Sequence, residues 1–85
     1  MNEREQLSAI VQRMEVKLAQ GHQEDWARLL HRARTLSAFD CSAAKGEILH
    51  YFGGAGSISD LQLDEEFSDL RTQLYSLCYG KRTTH

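Results

Sequence analysis

The sequence predicts an all-α fold: a compact bundle of about four amphipathic helices with a glycine-rich elbow before the last. Three observations carry this. Apolar residues recur at helical spacing in four separate stretches. Glycines and short oxygen side chains punctuate the gaps between those stretches. There is no proline, and no pair of alternating stretches that would make partner strands.

The first helix is predicted over 3–20. Leu7, Ile10, Val11, Met14 and Leu18 fall on one face, and Gly21 stops it with Lys17 near the negative end of the dipole. The second restarts near Gln23, with Glu24 and Asp25 in its first turn. Trp26, Leu29, Leu30, Ala33 and Leu36 (or Ser37) form its stripe at helical spacing. The short link favours an antiparallel pair, which Trp26, the largest apolar side chain, is expected to anchor. Asp40 or Ser42 can cap a third helix over about 42–52, with Ala44, Ile48, Leu49 and Phe52 inward. Gly46 weakens that helix by about 1 kcal/mol relative to Ala, and hints at close helix approach. Asp64 caps the fourth helix, which turns Phe67, Leu70, Leu74, Leu77 and Cys78 to one side and ends at Gly80. Residues 81–85 read as a polar tail.

The 85 residues argue for one domain, 1–85. A chain of this size buries only about 60% of its unfolded surface, so it has little volume for a deep substrate pocket. No stretch approaches the length of a membrane span. The charged N-terminus lacks an apolar signal core, so the expected location is cytoplasmic, with Cys41 and Cys78 as thiols. The four histidines show no zinc-ligand spacing, and no metal or other cofactor is expected. A net charge of −2 does not favour nonspecific nucleic-acid binding.

Three of the six glycines lie in four consecutive positions, Gly53-Gly54-Ala55-Gly56. Gly53 can end the third helix in the left-handed conformation. The loop lacks the Gly-Lys-Ser/Thr ending of a phosphate-binding P-loop, and a helix rather than a strand precedes it, against a dinucleotide fingerprint. A structural elbow is the better reading. Phe52-Gly53-Gly54-Ala55-Gly56-Ser57, two residues, then Asp60-Leu61 resembles a motif of short, largely uncharacterised bacterial helical proteins. Phe67, Leu70, Arg71, Leu74 and Tyr75 are similar to that family's closing helix. Small proteins of this sort are often immunity proteins that neutralise a toxin made by the same cell. The resemblance therefore implies an immunity protein or antitoxin, with a cognate protein toxin as partner.

Two charge clusters bear on this. Asp60, Asp64, Glu65, Glu66 and Asp69 put five acids into ten residues without a Lys or Arg. Part of the cluster suits the start of a helix, and such runs are usually solvated. It can also engage a basic surface and speed its capture. Ile58, Leu61 and Tyr75 are candidate apolar anchors beside these acids. Arg28, Arg32 and Arg34 form a basic counterpart. Arg28 and Arg32 share a helix face and could pair with neighbouring acids or grip a carboxylate or phosphate. A helix-turn-helix on DNA fits poorly with the excess of acid. His50, Ser57 and Asp60 are close in sequence, but a triad is defined by geometry, and no credible nucleophile–base set emerges. The expectation is a non-enzymatic, protein-binding bundle. The alternative is a structural or regulatory bundle that self-associates into a homo-oligomer.

Overall fold

The computed structural model describes residues 2–53, 58, 61 and 63–79. It is all-α, with α1 at Glu3–Gln20, α2 at Glu24–Ser37, α3 at Cys41–Tyr51 and α4 at Glu65–Tyr79. The helices form a ring: α1 packs on α2 and α4, and α3 packs on the same two. Along α1 and α4 the paired residues run in opposite directions: Lys17 meets Asp64, and Arg13 meets Glu66. No helix among the described residues is long and apolar enough to cross a membrane.

Three starts are capped by side chains. Asn2 accepts from the Glu5 amide at 2.8 Å while the Glu5 carboxylate accepts from the Asn2 amide, a capping box. Asp40, rather than Ser42, accepts from Ala43 at 3.0 Å. Asp64 accepts from Phe67 at 2.8 Å, as its sequence position predicts.

Leu7, Val11, Met14 and Leu18 from α1 are fully buried, as are Leu30, Ala33, Ala44, Ile48, Phe67 and Leu74. These are positions that the helical periodicity places inward. Tyr51, which the periodicity missed, is also buried. Its hydroxyl lies 3.2 Å from the Leu29 carbonyl and 3.0 Å from the Glu47 carboxylate, and its single proton serves these acceptors. Burial first, and the Glu47 contact second, push its pKa up to about 12. Trp26 is half-buried, and its ring meets Tyr51 edge-on with centroids 5.9 Å apart. It thus ties α2 to α3, where the sequence had pointed to the α1–α2 pair.

The glycines correct the sequence in detail. Gly21 ends α1 with φ −90°, and it is His22 that takes the left-handed conformation, φ 63°. The His22 amide donates to Ala19 and the Gln23 amide to Leu18, which closes a Schellman motif. A Cβ at Gly21 would lie 2.9 Å from Cδ2 of Leu63, so the end of that side chain would have to shift to admit it. Gly53 does not adopt the left-handed φ expected of it. Gly46 marks no close approach, since a Cβ there meets nothing within 4 Å. Gly54, Ala55, Gly56 and Ser57, the body of the expected elbow, lie outside the described residues, as does Gly80.

Candidate partner-binding surface

The chain between α3 and α4 is held by one arginine. Arg71 Nη1 donates to the carbonyls of Leu61 at 2.6 Å and Ile58 at 3.3 Å, and its guanidinium lies 5.7 Å from the Phe67 ring centroid. Ile58 is fully buried and Leu61 half-buried against the core, while Leu63 closes over Gly21 at the end of α1. These contacts pin the second half of the connection. Ile58 is therefore a core residue, and the sequence-level proposal of it as a surface anchor is corrected. An isoleucine flanked by small polar residues looks accessible in sequence; tertiary packing buries it.

The acidic run divides by function. Lys17 Nζ reaches Asp64 at 2.9 Å and Glu66 at 3.0 Å, and Arg13 meets Glu66 at 3.5 Å. These contacts bind α4 to α1. The Lys17 hydrogen bond, then the Phe67 amide, hold the Asp64 carboxyl below its ordinary value. The same hydrogen bonds, from Asp64 first and Glu66 second, raise the Lys17 pKa. Glu65 and Asp69 are exposed and make no ion pair among the described residues. Asp60 lies outside them. Only part of the predicted acidic surface is thus available.

Glu65, Asp69, Thr72 and Ser76 follow one another at intervals of three or four, so they share the outer face of α4. Tyr75 and Tyr79 border that face. Their rings stack 5.5 Å apart at 10°, and Tyr75 meets Phe52 edge-on at 5.1 Å. Tyr75 is 42% exposed and Tyr79 70%. Phe52, Arg71, Thr72 and Tyr75 line an open depression of about 380 Å³. The result is an aromatic ledge on the C-terminal half of α4, with the two outward carboxylates nearer the start of the same helix. Sequence reasoning found Tyr75, and missed Tyr79 and Phe52 as parts of one cluster; the i, i+4 spacing of Tyr75 and Tyr79 was the available signal.

The basic cluster also divides. Arg34 is held by Glu15, Nε to Oε2 at 2.7 Å, and lies on the α1 side of α2. Arg34 Nη2 also donates to His31 Nδ1 at 3.1 Å, which lies 3.3 Å from the same carboxylate. The Glu15 hydrogen bond raises the Arg34 pKa further. Arg28 pairs with its neighbour Asp25, and Arg32 is exposed on the α3 side. His50 is exposed, while Ser57 and Asp60 lie outside the described residues. Both cysteines are free thiols, and burial pushes Cys78 up to about 12. Among the described residues no group of three or more His, Cys, Asp or Glu side chains could hold a metal ion.

The segment from the end of α1 through α2, α3 and the Arg71-pinned connection into the first turns of α4 also matches a family model, at residues 19–70. The chain belongs to the DUF6966 family, a domain of unknown function. The DUF6966 match includes Gly21, Leu63 and both acids of the α4 outer face. It ends just before Arg71 and the tyrosine pair. No curated protein and no solved structure matches the chain.

Proposed function

We propose that this DUF6966 protein is a non-catalytic, cytoplasmic protein-binding domain, and specifically an immunity protein or antitoxin that occludes a cognate toxin. The observation that carries the reading is the α4 ledge. Tyr75 and Tyr79 stand stacked and exposed on the C-terminal half of α4, and Glu65 and Asp69, without an ion pair among the described residues, are exposed nearer the start of the same helix. Rigid aromatic side chains lose little entropy on docking and dominate interface energetics, and neighbouring carboxylates steer a basic partner. Toxin enzymes that act on nucleic acids carry such basic surfaces. The immunity role itself comes from the resemblance of 52–61 and of α4 to short bacterial proteins of that kind. Tyr75 and Leu61 remain candidate contacts, Leu61 only at its half-exposed edge.

Inhibition of the partner enzyme tests this. Titration with the wild-type chain should abolish its activity at one equivalent. Tyr79→Ala, and Glu65→Ser with Asp69→Ser, should each raise the concentration needed about tenfold or more. Undiminished inhibition by both variants would remove the ledge from the account. A second reading uses the same aromatic edge to join two copies. Sedimentation decides between them: a mass that rises with concentration favours self-association, and a strict monomer excludes it.

A further inference from the structure

A second surface lies on α2, diagonal to α4 in the ring and independent of the ledge. Asp25, Arg28, Leu29, Arg32 and Leu36 recur at i, i+3, i+4, i+7 and i+11, so they form one stripe. It runs along the edge of α2 that faces α3, as the Tyr51 hydroxyl on the Leu29 carbonyl fixes. Two open depressions lie on it. One of about 520 Å³ is lined by Asp25, Arg28, Leu29, His31 and Arg32. The other, about 330 Å³, is bordered by Arg32, Leu36, Phe39 and Glu47. Arg32 belongs to both and joins them.

Three features make this stripe unlike an ordinary solvated face. Phe39 stands 83% exposed at the α2–α3 corner, beside the half-buried Leu36. Arg32 has no ion pair among the described residues, and the one available to Arg28 is an exposed i, i+3 contact with Asp25, a kind that holds weakly. Glu47, the acid within reach on α3, is engaged by the Tyr51 hydroxyl. The face therefore offers two arginines at helical spacing, followed by an apolar step that ends in an uncovered phenylalanine.

We propose that this stripe docks an acidic amphipathic helix of a partner protein. From Asp25 to Phe39 the stripe is about 20 Å long, which matches roughly four turns of a docked helix. Carboxylates spaced four apart on that helix meet Arg28 and Arg32, which donate to such groups bidentately. Its apolar face covers Leu29, Leu36 and Phe39. Nucleic acid is the poorer occupant. The apolar step from Leu29 through Leu36 to Phe39 gains nothing from phosphates, whereas the apolar face of a helix covers it.

The test is an amide chemical-shift titration of the full chain at low salt, about 0.05 M, where such pairing is least screened. The probe is a synthetic peptide of about 20 residues, long enough to fold on docking, with glutamates four apart along the border of a face of Leu and Phe. Controls are the same peptide with Lys for Glu and a single-stranded oligonucleotide of equal charge. The proposal expects saturable shifts confined to residues 25–39, and binding about tenfold or more weaker for the Lys peptide and for the oligonucleotide. Arg32→Glu and Phe39→Ser, both at exposed positions, should each weaken the acidic peptide about tenfold with an unchanged circular dichroism spectrum. No saturable shift, shifts centred on α4, equal binding of either control, or full affinity in Arg32→Glu would overturn it. Shifts of the same amides with protein concentration alone would assign the stripe to a second copy and overturn it equally.

Discussion

Two residues settle how the helices join. Arg71 satisfies the carbonyls of Ile58 and Leu61 in a half-buried setting, where water replaces a lost donor poorly. Arg71→Ala is expected to cost about 1–3 kcal/mol in urea unfolding, since it strands the Leu61 carbonyl, leaves the Ile58 carbonyl only the Leu61 amide and uncovers the Phe67 ring. A change inside the error of the method would mean that Arg71 does not hold the connection. His22 carries the left-handed turn after α1, a conformation costly for any residue with a Cβ. Glycine relieves that strain but adds freedom to the unfolded chain, so His22→Gly should gain a net of up to about 1 kcal/mol, roughly 4 °C in Tm. A lower Tm would contradict the left-handed assignment. At this scale the sequence was least legible. Its glycines announce turns, but not whether a turn needs a positive φ or only room. At Gly21 no positive φ is needed, and the side chain that crowds it, Leu63, arrives from more than forty positions away, an approach no local pattern encodes.

Among the elements, α4 shows how one acidic run serves two purposes. Asp64, as the residue that caps α4, and Glu66, in its first turn, both reach Lys17 on α1, while Glu65 and Asp69, four apart, share the outer face. The i, i+4 spacing was present in the sequence, but the identity of the neighbour, Lys17 on α1, was not. This partition sets the pH dependence. Asp64 titrates below its ordinary 3.8 in the folded chain, so its contribution is full above that value and is lost as pH falls through the folded one. Lys17 titrates above 10.5, so its share is full below that value and is lost as pH rises through the folded one. Asp64→Asn keeps a capping oxygen and removes the charge. Its Tm should lie below that of the wild type at neutral pH, and the gap should close as the pH falls below 3.8. A gap that persists in acid would place the effect in the cap rather than the ion pair. The helices themselves were the most legible part of the fold. Leu7, Val11, Met14 and Leu18 repeat cleanly, and all are buried. Tyr51 escaped because a tyrosine with a polar tip reads as a surface residue until Leu29 and Glu47 meet its hydroxyl.

In the whole molecule the four helices use their inward faces on one another, and what remains outside is uneven. The α4 ledge joins aromatic rings to carboxylates, and the α2 stripe joins arginines to an exposed phenylalanine. Single exposed apolar residues are ordinary, but stacked or aligned ones beside unpaired charge are suited to partners. In the chain order these residues are scattered: Phe52 precedes Tyr75 by more than twenty positions, and the ring of helices brings them together. The acidic cluster pointed to α4, while packing decided which acids remain available. The most direct test of the central claim is native isolation of the tagged chain from its own host, beside the Asp69→Ser, Tyr79→Ala double variant, with mass spectrometry of what accompanies each. The account predicts one stoichiometric protein with an enzyme-like domain in the wild-type sample and its loss from the variant. Recovery of the chain alone at two or four times its mass, or the same partner retained by both forms, would contradict it.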